Sequence, residues 1–271
     1  MKQKFLNLKN IIGELPRLAI AFSGGTDSTL LAKTAAEVLG DKILLIHARS
    51  ELVKQTETDF VQQWAQQEHI QLEIFDFNPF SYPEIRKNDP LRCYHCKKAI
   101  MSELKTIAET LGFNHIADGA NADDVDDYRP GIRAADELGV IHPFMLAGMN
   151  KDDIRRYSRE YGLLNWDTPA AACLASRIQY GVPLESHLLK MVAQAEEYLE
   201  KLGFNACRVR YMNRRAEIEI NPLFFRHIID LSSEITDILK SLGFEAVLLN
   251  LEGYKQGSLN RSLKDLPEPQ L

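Results

Sequence analysis

Two groups of residues in this sequence are of types, and at spacings, that do chemistry. The first is Ser23-Gly24-Gly25-Thr26-Asp27-Ser28, set between an apolar run at 18–22 and a helical pattern in which Leu30, Leu31, Ala35 and Val38 share one side. Gly24 and Gly25 lack Cβ atoms, so the backbone can take positive φ and approach an anion, while the N–H groups of the new helix point at it. Ser23, Thr26 and Ser28 add hydroxyls, and Asp27 is placed to cap the helix or to meet a magnesium ion accompanying a polyphosphate. The stretch lacks the Gly-Lys-Ser/Thr ending of the Walker loop and the Gly-x-Gly-x-x-Gly dinucleotide pattern. Its plainer reading is an ordinary tight turn from strand to helix.

The second group is sulfur. Cys93 and Cys96 form a Cys-x-x-Cys just before a helical pattern, and Cys173 lies within five positions of Ser176 and Arg177 in a stretch rich in small residues. The pair alone suits zinc ligation, a redox couple or iron–sulfur ligation. A structural zinc site wants four ligands and would need a histidine such as His95 or His142; three thiolates on a four-iron cluster leave one iron open. Cys173, beside an arginine, is a candidate nucleophile, although nearby phosphates oppose thiolate formation, and the alternative is a buried, inert thiol.

Strands and helices must hold these groups. Strands are read at 18–22, at 42–48, where Ile43 to Ile46 form a continuous apolar run, at 72–77 and, more briefly, at 115–117, and they alternate with helical patterns at 5–15, 54–67, 97–111 and 151–161. That alternation predicts an α/β fold, a twisted parallel sheet with helices on both faces and ligands outside the carboxyl ends of the strands. Ser23, Ser50, Asp118 and Gly119 then meet at one edge. Asp124 and Arg129 follow in an acidic stretch; at that edge Asp124 can assist magnesium and Arg129 can meet a phosphate or carboxylate, while the plainer reading is a solvated loop with helix caps.

From 184 the period changes to a helix (184–202), a hairpin (206–211 and 216–220), a helix (223–242) and a strand (246–251), a small α+β unit. Parity places Cys207, Val209, Tyr211, Ala216, Ile218 and Ile220 on the apolar face and Arg208, Arg210, Glu217 and Glu219 on the other. The four charges are read either as cross-strand pairs on a wet surface or as arginines that hold an anionic substrate. The expected domains are 1–167, carrying the phosphate loop, a linking loop at 168–183 with Cys173, and 184–271.

Composition bounds the function. A chain of 271 residues with 45% hydrophobic content has ample core for one large or two smaller domains. A formal charge of -6 argues against general, charge-driven binding to nucleic acid, a local basic patch being the alternative. No secretory leader or long apolar run is visible, so a cytoplasmic location without membrane attachment is expected, where four cysteines suit chemistry or metal binding better than disulfides.

The loop at 23–28 resembles that of the ATP pyrophosphatases, the PP-loop superfamily. Together with Asp118-Gly119, Asp127-Tyr128-Arg129-Pro130-Gly131, Cys173 with Ser176-Arg177-x-x-Tyr180-Gly181, and Arg208-Val209-Arg210, it resembles the LarE family of ATP-dependent sulfur transferases over nearly the whole chain. The resemblance implies that ATP adenylates the carboxylates of pyridinium-3,5-biscarboxylic acid mononucleotide and that sulfur replaces AMP, giving thiocarboxylates for the nickel-pincer nucleotide cofactor. It implies Ser23, Gly24, Gly25, Asp27, Ser28, Ser50, Asp118, Gly119, Asp124 and Arg129 around magnesium and ATP, and Arg177, Arg208 and Arg210 on the substrate. Cys173, with Ser176 and Arg177, matches the sulfur-donating position. In single-cysteine members that residue gives up its own sulfur; Cys93 and Cys96 bring this chain closer to members in which three cysteines hold a [4Fe-4S] cluster carrying an extra sulfide. A homo-oligomer, a hexamer, is also implied. Competing readings are a tRNA thiolation enzyme of the same superfamily, an amide-forming synthetase, and a non-catalytic module that senses nucleotide and holds zinc.

Overall fold

The computed structural model describes residues 2–124, 130–167 and 173–255. The readings placed above on Asp127, Tyr128 and Arg129, on 168–172 and on the tail past 255 lie outside the described residues. Two compact units emerge, one from the described residues of Met1–Phe77 and Cys93–Ala171, the other from those of Asn78–Arg92 and Ala172–Leu271. Residues 78–92 thus pack with the second unit.

The chain begins with α1 (Lys2–Gly13), β1 (Leu18–Ala21), α2 (Thr26–Leu39), β2 (Ile43–Arg49), α3 (Gln55–Gln67) and β3 (Leu72–Asp76), then the short α4 (Pro83–Arg86) of the second unit. The first unit resumes with α5 (Arg92–Thr110), β4 (Ile116–Ala117), α6 (Pro130–Asp136), α7 (Pro143–Leu146) and α8 (Lys151–Glu160). The second continues with α9 (Ser186–Lys201), β5 (Arg208–Met212), β6 (Arg215–Glu219), α10 (Phe225–Asp230), α11 (Ser232–Ser241) and β7 (Ala246–Leu249).

In the first unit, β3-β2-β1-β4 form a parallel sheet, with Ile20 opposite Leu45 on one side and Ala117 on the other. Side chains alternate between two covered faces, which explains why β1 and the start of β2 are apolar at successive positions. Leu18, Ile20, Ile43 and Leu45 enter a core with Leu8, Ile12, Leu30, Leu31, Val61 and Trp64. Ala19, Leu44 and Ile46 enter the opposite one with Met101, Leu104, Ala108 and Phe113. Each fully buried large aliphatic contributes about 1.5–3 kcal/mol, so both faces hold the sheet in register. The strand order reverses between β1 and β4, and the crevice at such a switch point is where doubly wound sheets bind ligands.

Two helices differ from the periodicity. The helix expected at 97–111 starts at Arg92, because the Leu91 N–H donates to Asp89 Oδ1 at 2.9 Å and Pro90 follows that cap. Cys93 and Cys96 therefore lie in the first turn of α5 and do not precede it. The helix expected at 223–242 is broken: a 3-10 turn, Pro222–Phe224, precedes α10, and the chain leaves α-helical geometry at Leu231 before Ser232 and Ser233, residues that compete with helical hydrogen bonds.

In the second unit, β5 pairs antiparallel with β6, and β6 parallel with β7. Asn213 and Arg214 both take positive φ in the two-residue turn between β5 and β6, as a primed hairpin turn requires. Cys207, Val209, Ala216, Ile218 and Ile220 are buried, in line with their parity, and Cys207 is a core thiol.

Candidate functional site

At the carboxyl end of β1 the chain turns sharply through Gly24 (φ 78°) into α2. A Cβ on Gly24 would lie 2.9 Å from Val61 Cγ2 on α3, so only glycine combines this φ with that wall. Hydroxyls knit the loop: Ser23 Oγ accepts from Gly25 N–H at 3.3 Å and shares a hydrogen bond with Ser28 Oγ, while Ser28 and Thr29 donate to the Gly25 carbonyl. The helix N-cap is Gly25 with no side-chain cap. Asp27, in the first turn, instead meets the Lys151 ammonium.

The loop after β4 lies directly on this one. Gly119 packs so closely that a Cβ there would be 3.1 Å from Ser28 N and 3.2 Å from the Asp27 carbonyl carbon. Beside it, Asp118 takes Lys97 Nζ on Oδ2 at 2.9 Å and His142 Nδ1 on Oδ1 at 2.7 Å, and His142 Nε2 meets Asp136 at 3.2 Å. Burial opposes the charge on Asp118, yet Lys97 and His142 hold its carboxyl well below the usual carboxylate range. Burial likewise opposes charge on His142, and its bond to Asp118 outweighs this, so its pKa is raised. Lys97 directly follows Cys96, so the first turn of α5 is tied to the same strand edge.

The remaining predicted positions of this unit do structural work as well. Ser50 Oγ accepts from Leu52 N–H at the end of β2. Buried Asp124 accepts from Asn121 N–H, and Asp123 from Lys151 N–H, the turn and helix-start roles of the plainer reading. Periodicity left Lys97, Lys151 and Asn165 unremarked. For Lys151 a signal exists: Asn150 and Asp153 form a capping box that starts α8 at the loop. Asn165 gives none, yet its Nδ2 donates to the Gly24 carbonyl at 2.9 Å and its carbonyl accepts from Thr26 Oγ1 at 2.7 Å. Its Oδ1 is buried with no partner among the described residues. Buried His47 ties the same turn from below, bonding the Phe22 carbonyl and Thr58, and burial lowers its pKa.

In the second unit Cys173 is exposed at the head of a 3-10 turn, Leu174–Arg177. Arg177 is 2% exposed and donates to both oxygens of the fully buried Glu196, at 2.8 and 3.0 Å. Burial works against its charge, and Glu196 more than offsets this, raising the guanidinium above its usual value. Its Nη1 reaches the Cys173 carbonyl and Ser176 Oγ. Arg210 forks onto Glu219 at 2.7 and 2.8 Å and donates to the Ser176 carbonyl. Arg208 donates to the Cys207 carbonyl and lies 5.1 Å from the Tyr254 ring centre. The charged face of the hairpin is therefore no wet surface: Arg208, Arg210 and Glu219 are all buried.

The thiol pair and Cys173 belong to different units; Cys93 is exposed and Cys96 half-buried. Among the described residues no three His, Cys, Asp or Glu side chains form a group able to hold a metal ion. Nor is any described helix long and apolar enough to cross a membrane.

No protein-family model matches the chain. It is 40% identical to an uncharacterised protein of Synechocystis sp., over 97% of this chain and 99% of that one. It is 36% identical to the pyridinium-3,5-bisthiocarboxylic acid mononucleotide synthase of Lactiplantibacillus plantarum, over 92% of this chain and 91% of the synthase. A more distant likeness, 25% over 81% of this chain, joins it to about half of the tRNA(Ile)-lysidine synthase of Persephonella marina. A parallel α/β sheet with a glycine-hinged loop at its switch point, in a chain matched over 92% of its length by that synthase, makes this protein an enzyme of the LarE family within the PP-loop superfamily.

Proposed function

We propose that the protein is an ATP-dependent sulfur transferase acting on pyridinium-3,5-biscarboxylic acid mononucleotide. A substrate carboxylate oxygen attacks the α-phosphorus of ATP, the bond to the bridging oxygen breaks, and pyrophosphate leaves into the loop of Ser23, Gly24, Gly25, Asp27 and Ser28. A sulfur nucleophile then attacks the acyl carbon, the bond to AMP breaks, and a thiocarboxylate remains. Ser50, Asp118, Gly119, Asp124 and Arg129 are assigned to the nucleotide and its magnesium ion; Arg208 and Arg210, with Arg177, to the phosphate and carboxylates of the substrate.

The observation that carries this reading is Cys173: an exposed thiol at the head of a turn whose carbonyls are gripped by buried arginines, in a chain 36% identical to the synthase. Cys173 is assigned to sulfur delivery, with Ser176 and Arg177 holding the turn. We also infer a [4Fe-4S] cluster, from ligand chemistry alone: thiolates are what such a cluster takes, Cys93 and Cys96 share one face of a helical turn, and with Cys173 as the third ligand one iron is left open. Bound there, the cluster would supply a transferable sulfide on its open iron.

Protein purified without oxygen tests both parts. With substrate and ATP it is expected to release pyrophosphate and form thiocarboxylate; failure of both overturns the function. About four iron per chain, lost in Cys93→Ala and in Cys173→Ala, is expected. An iron-free parent overturns the cluster, and a loss of hydrogen sulfide from Cys173 in the intact mass after turnover would identify that residue as the donor.

A further inference from the structure

The segment that follows Cys173 has little secondary structure, and its backbone carbonyls are held by side chains. Arg177 takes that of Cys173 and Arg210 that of Ser176. Three more, those of Ala175, Gln179 and Val182, are taken by residues from an unexpected place. Arg92, 3% exposed, donates to the Ala175 carbonyl at 3.0 Å and to Asn88 Oδ1, and its guanidinium stands 5.4 Å from the Tyr180 ring centre. Asn88 is fully buried with φ at 56°. Its Nδ2 donates to the carbonyls of Gln179 and Val182 at 2.9 and 2.8 Å, and its own carbonyl accepts from Gly181 N–H at 3.0 Å.

A fully buried, left-handed asparagine that spends both amide protons on two carbonyls of another segment holds that segment's path, because letting go would leave its own buried N–H groups without a partner. Arg92 is also the residue immediately before Cys93. The same stretch of chain therefore fixes the turn that presents one thiol and leads directly into the helix that presents the other two.

We propose that Asn88 and Arg92 are positioning residues for sulfur transfer, setting the path of the Cys173 segment without taking part in adenylation. The inference rests on the function proposed above. If the clasp is loosened, the nucleotide loop, whose contacts lie in the first unit, and Arg177, still gripped by Glu196, form the acyl adenylate, and the sulfur arrives misplaced. Misplacement by about 1 Å costs on the order of 10²-fold in rate.

The test compares parent, Arg92→Gln, Arg92→Lys and Asn88→Gly, the last keeping a backbone that tolerates positive φ. Pyrophosphate release with ATP and pyridinium-3,5-biscarboxylic acid mononucleotide is expected to stay within about twofold of the parent. Thiocarboxylate formation is expected to fall about 10²-fold in Arg92→Gln, with partial recovery in Arg92→Lys, which keeps a charged donor. Loss of both in parallel, or of neither, overturns the inference. Should Arg92→Gln melt below the assay temperature, Asn88→Gly carries the comparison. Amide exchange needs no activity: peptides from 173–182 are expected to exchange about tenfold faster in the variants while those from α2 and β1 do not change. Unchanged exchange at 173–182 overturns the inference even if the parent proves inactive, whereas an inactive parent with the exchange effect present would fault the proposed function alone.

Discussion

Single residues of this protein are constrained by what lies against them more than by their own chemistry. Gly119 shows it most directly, since a methyl there would sit 3.0 to 3.2 Å from Asp27 and the backbone of Ser28, and helix backbone cannot retreat as a side-chain tip can. Gly119→Ala is expected to lose about 1–3 kcal/mol of stability and to slow pyrophosphate release with it; a variant with parent melting temperature and parent release rate would refute the close approach. Arg177 makes the complementary case. Glu196→Ala leaves that guanidinium in a site 2% exposed with its bidentate partner removed, a change worth about 3–5 kcal/mol. Urea unfolding is the measurement, and a loss below about 1 kcal/mol would mean that water reaches the site. The sequence made both residues conspicuous, but for reasons that only partly match their contacts. Gly119 was legible as a loop residue at a strand end. Arg177 was read as a ligand for substrate, with nothing to signal Glu196, 19 residues on, as its partner.

At the scale of elements, the strand ends and helix starts work as a set. His142 follows the bridge at Ile141 and joins Asp118, just past β4, to α6's Asp136, while Lys97 of α5 closes the other side of Asp118. Because the folded state raises the His142 pKa, its contribution is fully present below the unfolded value of about 6.5 and is lost as pH rises through the folded value. Asp118 has the opposite sign: its depressed pKa contributes above about pH 3.9 and fades as pH falls below that. Thermal melts from pH 6 to 9 are therefore expected to fall more steeply toward alkaline pH in the parent than in His142→Gln. Equal slopes would show that the cluster contributes no pH-dependent stability there. Apolar periodicity predicted the strands well because both faces of the sheet are covered. It misplaced the start of α5 because the signal there is a polar cap, Asp89 followed by Pro90, and not an apolar stripe.

For the whole molecule, the relevant quantity is net charge. At -6, the net charge of the chain works against a polyanion, and part of its arginine charge is committed to buried carboxylates, Arg177 to Glu196 and Arg210 to Glu219. The likeness to a tRNA-modifying enzyme covers about half of that relative. Mixed with tRNA at 0.15 M salt, about physiological ionic strength, the protein is expected to leave its mobility unchanged. A shift that weakens steeply with added salt would revive the tRNA thiolation reading.

The amino-acid sequence by itself determined the local grammar: a glycine-hinged loop between strand and helix, strands apolar enough to be buried on both faces, a hairpin whose parity put Cys207 in the core, and thiols at 93, 96 and 173. These follow from short-range rules of period, propensity and turn chemistry, which act within a few residues. Tertiary structure alone decided that β4 lies beside β1, that Lys151 reaches Asp27 across 124 positions, and that Arg92 meets the Ala175 carbonyl across 83. One lysine resembles another along a chain, and a partner that far away is chosen by how the elements pack, so no local pattern could have announced it.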